Sequence, residues 1–179
     1  MKDYNFSLKP FSPAQPLLSL KVTGKISRRS NTLALQYTLI GHLGELVIPT
    51  PADIPARKNE LWKKTCFEFF VAVRDSHPYW EFNLSPAGDW SVYRFAGYRQ
   101  GMEEEKVFTS MPFSVRRQPQ SLRLDLELDL NKIVKEKQPL EVALSAVIEL
   151  KDGELTYWAL THGGPQADFH RREGFIVKL

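Results

Sequence analysis

The sequence predicts an all-β fold, an antiparallel β-sandwich of jelly-roll type with little helix. Three observations carry that prediction. Apolar residues recur at every second position, short runs of this pattern repeat along the chain, and turn-forming residues separate the runs. The clearest run is Leu122 to Leu130, in which every even position is Leu and every odd one is charged. Successive strand side chains point to opposite faces, so such a run meets a core on one side and water on the other.

From the N-terminus, Leu17 to Ile26 and Leu33 to Leu39 read as strands joined across a Ser30-Asn31 turn. Pro49, Pro51 and Pro55 fix φ and remove amide donors, which makes the approach to Trp62 an irregular loop. A turn or two of helix fits between Ala52 and Trp62. Phe67 to Arg74 and Tyr79 to Leu84 form a hairpin across Asp75-Ser76-His77-Pro78. Pro86-Ala87-Gly88-Asp89 turns the chain into Ser91 to Tyr98. Phe113 to Arg117 precedes the Leu-rich strand, and Asp129 to Lys137 suits a short helix capped by Asp129 or Asn131. Leu140 to Leu150 carries apolar residues on both faces, as a central strand covered on both sides would. After Lys151-Asp152-Gly153, the strands Leu155 to Leu160 and Phe175 to Leu179 close the chain.

At 179 residues the chain suits one domain, 1–179, large enough to bury a core without staples. Hydrophobic residues are 42% and charged residues 25%, the balance of a globular chain rather than a disordered one. A net charge of +3, with Arg28-Arg29, Arg116-Arg117 and Arg171-Arg172 scattered, predicts no nucleic-acid partner. No run of eighteen apolar residues predicts a membrane span. One cysteine, Cys66, excludes an internal disulfide. With no apolar leader pattern after Met1, it points to the cytoplasm. The four histidines lack the spacing of a zinc site, and there is no nucleophile elbow or phosphate loop, so neither metal nor catalytic residues are assigned.

Chemistry concentrates in the middle of the chain. Phe67, Phe69, Val71 and Val73 share one face of their strand, leaving Cys66, Glu68, Phe70 and Ala72 on the other. Trp80, Phe82 and Leu84 alternate with Tyr79, Glu81 and Asn83, so the hairpin can bring Glu68, Glu81 and Asn83 to one face beside Phe70 and Tyr79. The next strand divides Val92, Arg94 and Ala96 from Tyr93 and Phe95. Rings cover apolar C–H faces, while Glu, Asn and Arg satisfy hydroxyls, which suits a polyhydroxylated or planar ligand. The plainer expectation for alternating polar residues is a solvated face, and for Trp62 a place in the core. Thr161 to Gly174 is the densest loop, with His162, Asp168, His170, Arg171 and Arg172. Glu68, Glu81, Asp168 and His170 also supply the raw material of a hydrolase or isomerase.

Three segments together resemble a known group: Leu61-Trp62 through Glu68-Phe69-Phe70, Tyr79-Trp80-Glu81-Phe82-Asn83-Leu84-Ser85-Pro86-Ala87-Gly88-Asp89-Trp90, and Tyr157-Trp158 through Phe175. They are similar to DOMON-like domains and the related family 9 carbohydrate-binding modules, over roughly Lys58 to Leu179. The resemblance implies a non-catalytic β-sandwich that binds a small ligand, a saccharide or, alternatively, haem. It implies that Trp62 stacks on the sugar, that Glu68 and Asn83 contact hydroxyls, and that Phe169, or else Trp158, supplies a second ring. Phe169 stands where the relatives carry Trp. For haem, Met102, Met111, His162 and His170 are the available axial types. The expected ligand-binding set is therefore Trp62, Glu68, Asn83 and Phe169, joined by Glu81, Arg94, Trp158 and His170.

Overall fold

The alternating runs pair edge to edge because each has one face to bury. A computed structural model describes residues 3–12 and 19–179. Its strands are β1 (Tyr4–Pro10), β2 (Lys21–Arg29), β3 (Thr32–Ile40), β4 (Leu46–Val47), β5 (Cys66–Val73), β6 (Tyr79–Leu84), β7 (Trp90–Phe95), β8 (Glu103–Glu104), β9 (Phe113–Gln118), β10 (Ser121–Asp129), β11 (Leu140–Leu150), β12 (Leu155–Ala159) and β13 (Val177–Lys178). All neighbouring strands are antiparallel. Among the described residues helix is confined to 3-10 turns.

One sheet runs β1-β2-β3-β10-β9. The other runs β8-β7-β6-β5-β11-β12, with β4 and β13 pairing to β11. β1 joins them: Tyr4 to Leu8 pair with β2, while Lys9 and Pro10 pair with Ala159 and Trp158 of β12. The strand closes one side of a sandwich. Its two inward residues, Phe6 and Leu8, are too few to announce it as a periodic run. Leu17 and Leu18, expected to begin β2, lie outside the described residues, and the strand begins at Lys21.

The main core lies between the sheets. Leu33, Leu35, Tyr37 and Leu39 of β3 and Leu122, Leu124, Leu126 and Leu128 of β10 face Phe67, Phe69 and Val71 of β5 and Phe82 and Leu84 of β6. The Leu-rich strand thus buries the side its alternation predicts. Tyr37 donates its buried hydroxyl to the Glu68 carbonyl at 2.6 Å, tying one sheet to the other directly behind Glu68. Gly24 of β2 is demanded by packing: a Cβ there would stand 1.9 Å from the Gln36 carbonyl oxygen and 2.5 Å from the Phe6 ring. The expected helix after β10 is shorter, a single 3-10 turn at Leu130–Lys132, with Asp129 as its cap accepting from the Asn131 N–H.

The second sheet carries apolar residues on its outer face as well. Phe70, Ala72, Tyr79, Tyr93, Phe95, Ala143 and Phe175 form a separate cluster, with Trp62 and Phe169 packed against it. β11 is therefore central and covered on both sides, as its composition indicated.

Candidate functional site

Two loops cover that outer face, and both are pinned by side chains. The proline-rich loop runs alongside Trp90: Lys58 N–H donates to the Trp90 carbonyl and Trp90 N–H to the Ala56 carbonyl. Asp89, buried, accepts from the Ala56 N–H at 3.0 Å and from Lys58 Nζ at 2.7 Å. The chain then passes through Glu60 in the left-handed region (φ 59°) into a 3-10 turn, Leu61–Lys63. That turn presents Trp62, edge-on to Tyr93 with ring centroids 5.8 Å apart.

The second loop, after β12, is stapled by Arg172. Its guanidinium donates to Glu141 Oε2 at 2.8 Å and to the Ser76 and Val73 carbonyls at 2.9 Å each. Asp168 accepts from Arg99 at 2.8 Å and from the Tyr98 hydroxyl, which ties this loop to the turn after β7. His170 and Phe169 are thereby laid over the sheet.

Between the loops lies a cleft of about 410 Å3 whose lining includes Trp62, Glu68, Glu81, Tyr157, Phe169 and His170. That volume suits a small organic ligand. The rings of Trp62, Phe95, Tyr157 and Phe169 form its walls, and Glu68 and Glu81 stand on its floor. Both carboxyls are nearly sealed from solvent, at 3% and 4% exposure. They rise from adjacent strands on the same face, Glu68 opposite Asn83 and Glu81 opposite Phe70, so they are diagonal neighbours. Asn83 Nδ2 donates to Glu81 Oε1 at 2.8 Å. Glu68 Oε1 is buried with no hydrogen-bond partner among the described residues, as is the hydroxyl of Ser145, which pairs with Glu68 across the β5–β11 ladder.

Buried charge without a counter-ion is unfavourable, and the protonation of the floor reflects it. Burial pushes Glu68 well above the usual carboxylate value, and the neighbouring Glu81 adds to this. Burial pushes Glu81 up to about 7, outweighing the Asn83 amide donor and the Arg99 guanidinium. His170 moves the other way, down to about 4, chiefly through burial and then through Arg99, against the pull of Asp168. Its 3.6 Å approach to Glu81 Oε2 is therefore not an ion pair at neutral pH. The Tyr79 oxygen accepts from the Arg99 N–H and lies 2.8 Å from His170 Nδ1, while Nε2 is directed at Glu81. Burial holds Tyr79 itself up to about 12, so it stays a donor.

The structure brings Trp62, Glu68, Glu81, Phe169 and His170 together at the cleft. Asn83 lies beneath it, fully buried, and acts on Glu81 rather than facing the open space. Arg94 and Trp158 are elsewhere. Arg94 pairs with Trp80, a core residue, so it belongs to the opposite face of the sheet and is exposed at its rim. Trp158 is buried between the sheets, its Nε1 donating to Thr156 Oγ1 at 2.8 Å. The reason in both cases is the two-residue period: Arg94 alternates with Tyr93 and Phe95, and Trp158 with Tyr157. Tyr157, with Leu155, is a β12 residue at the cleft, and its ring is edge-on to Phe169 at 6.1 Å. The alternation of β12 could have identified it. Arg99 and Met102, from the turn after β7, left no such signal.

Of the residue types considered for haem, Met102 and His170 line the cleft, with His170 Nδ1 2.8 Å from the Tyr79 hydroxyl and Nε2 3.6 Å from Glu81. His162 Nε2 lies 2.8 Å from the Lys9 carbonyl, and Met111 is buried in the core between the sheets. A wider hollow, about 750 Å3, lies against the other sheet over β2, β3 and β10. Its Asp125 accepts from Gln36, Arg116 and Arg123.

No protein-family model and no curated protein matches the chain. Among solved structures it is similar to a candidate carbohydrate-binding protein from Bacteroides uniformis ATCC 8492. The TM-score is 0.71 and the identity 14%, over 96% of this chain and 83% of that one. Two family 9 carbohydrate-binding modules from Caldicellulosiruptor kristjanssonii also align, one in complex with cellotriose and one with glucose. Their TM-scores are 0.49 and 0.45 and their identities 10% and 11%, over 88% and 84% of this chain and 72% and 73% of theirs. At 14% identity, what the chain shares with the Bacteroides protein is the fold.

Proposed function

We propose that the chain is a non-catalytic module that binds a saccharide in the cleft between Trp62 and Phe169. One observation carries the reading: ring faces on the walls and buried hydrogen-bonding carboxyls on the floor, in a space of small-ligand size. A sugar ring has apolar C–H faces and a rim of hydroxyls, and this arrangement addresses both. Trp62 and Phe169 cover the faces, and Glu68 and Glu81 receive the hydroxyls, with Asn83 holding Glu81 in place. The likeness in fold to a candidate carbohydrate-binding protein is consistent with it.

Two raised carboxyls also invite a hydrolase reading. Glycoside hydrolysis places its two carboxyls on either side of the scissile bond. Here both rise from one sheet face, on neighbouring strands, and meet a ligand from the same side. Asp168 is held by Arg99 and Tyr98, and His170 by Tyr79, so neither is free to complete a second wall.

The test is calorimetric titration with a panel of mono- and disaccharides, for the parent and for Trp62→Ala. Removing a wall ring should weaken binding by about 1–3 kcal/mol, with an unchanged far-UV spectrum. Equal affinity in parent and variant removes Trp62 from the site, and no binding across the panel overturns the saccharide reading.

A further inference from the structure

Among the described residues, the acids on the cleft floor have no basic partner of their own. Three basic side chains stand among the lining residues, and each is already engaged or uncharged. Lys63 Nζ is 2.7 Å from Glu60, and Arg99 is 2.8 Å from Asp168. His170 is neutral, its Nδ1 occupied by Tyr79. That leaves Glu68 and Glu81 as acids without a matched cation. Glu68 is 97% sealed, lines the cleft and keeps Oε1 without a partner among the described residues.

A neutral polyol would donate one hydroxyl to that oxygen while removing the remaining water. Burial already favours the protonated acids, and a neutral polyol leaves them so, whereas a cation seated on the floor favours their ionised form and is paired by it. An ammonium group provides three N–H donors together with the missing charge. The walls favour it too, because a cation over aromatic faces is attracted by the ring quadrupole, more strongly once desolvated. Trp62, Phe95, Tyr157 and Phe169 supply those faces within the same cleft. The unpartnered Ser145 hydroxyl, level with Glu68 on β11, is a further acceptor on the same face.

Resting on the saccharide reading, we infer that the ligand is an amino sugar, whose protonated amine seats on the Glu68–Glu81 floor while its ring lies between Trp62 and Phe169. The experiment compares matched pairs by calorimetry at pH 7: glucosamine with glucose, galactosamine with galactose, mannosamine with mannose. The N-acetyl derivatives are added because they keep the nitrogen and lose the charge.

In at least one pair the amino sugar should bind tenfold or more tightly than its parent hexose, and its N-acetyl derivative should lose that advantage. Glu68→Gln, which keeps shape and hydrogen bonding but cannot ionise, should bring the ratio within the pair close to one. Hexoses that bind as well as or better than their amino counterparts overturn this inference and leave the saccharide reading standing. So does a preference that survives in Glu68→Gln. A panel in which no sugar binds overturns both.

Discussion

Glu81→Gln should stabilise the protein at alkaline pH and leave it unchanged in acid. Glu81 is held at about 7 in the folded chain against an ordinary value of 4.5, because it is almost fully buried. A group whose folded value is raised prefers to be protonated in the native state. Its contribution is therefore fully present below pH 4.5 and is lost as the pH rises through 7. Each pH unit between the two values corresponds to about 1.4 kcal/mol, so the loss amounts to about 3 kcal/mol by pH 8. Glutamine keeps an oxygen to accept from Asn83 Nδ2 and has no proton to lose, so the variant escapes this penalty. Glu68 works in the same direction, since Glu81 is among the causes of its raised value. His170 works in the opposite one. Its folded value of about 4 lies below the usual 6.5, so its contribution is present above 6.5 and is lost as the pH falls through 4. His170 offsets only part of the loss from the two acids, so the parent's stability should fall between pH 6.5 and 8, and comparison with the variant isolates the share of Glu81. Urea denaturation of both proteins at pH 4.5, 6 and 8 provides the measurement. The expected difference grows from near zero to about 3 kcal/mol in favour of Glu81→Gln. A difference independent of pH, or a variant less stable than the parent at pH 8, refutes the account of the floor as a desolvated acid pair.

Two further outcomes concern the sandwich itself. Gly24→Ala should destabilise by about 1–3 kcal/mol, the usual cost of forcing an extra carbon into packed surroundings. The added Cβ collides with the Gln36 carbonyl and the Phe6 ring, and a fall in thermal midpoint checks it. Cys66 is fully buried, and burial together with Glu68 pushes its thiol well above its usual value. It should therefore resist a thiol reagent in native buffer at pH 8 and react only when denaturant unfolds the chain; rapid labelling of the native protein would contradict the burial.

Much of the sandwich was legible because strand alternation is a local property. Where successive Cβ atoms point is decided by neighbouring residues, so Leu122 to Leu130 announced both a strand and its buried side. The hairpin of β5 and β6 and its division of faces were legible on the same grounds, which is how Glu68, Glu81 and Asn83 came to one side. The resemblance pointed to Trp62 and Phe169, and both stand at the cleft. Alternation also contained the grounds for setting Arg94 and Trp158 apart, since each alternates with a residue that faces the cleft's side of the sheet.

Chemistry at the site follows from closure, which no short segment encodes. From the pattern alone, Glu68 and Glu81 belong on a solvated face. They are buried because the loop carrying Trp62 and the loop carrying Phe169 fold over them, and those loops are anchored by Asp89 and by Arg172 to residues tens of positions away. β1 joins the two sheets through pairing with β2 and β12, at opposite ends of the chain, which its own two apolar residues could not foretell. Alternation decides which side of a strand a residue occupies. Long-range packing decides how much water reaches that side, and with it whether a carboxylate there is an ordinary surface charge or a buried acid waiting for a partner.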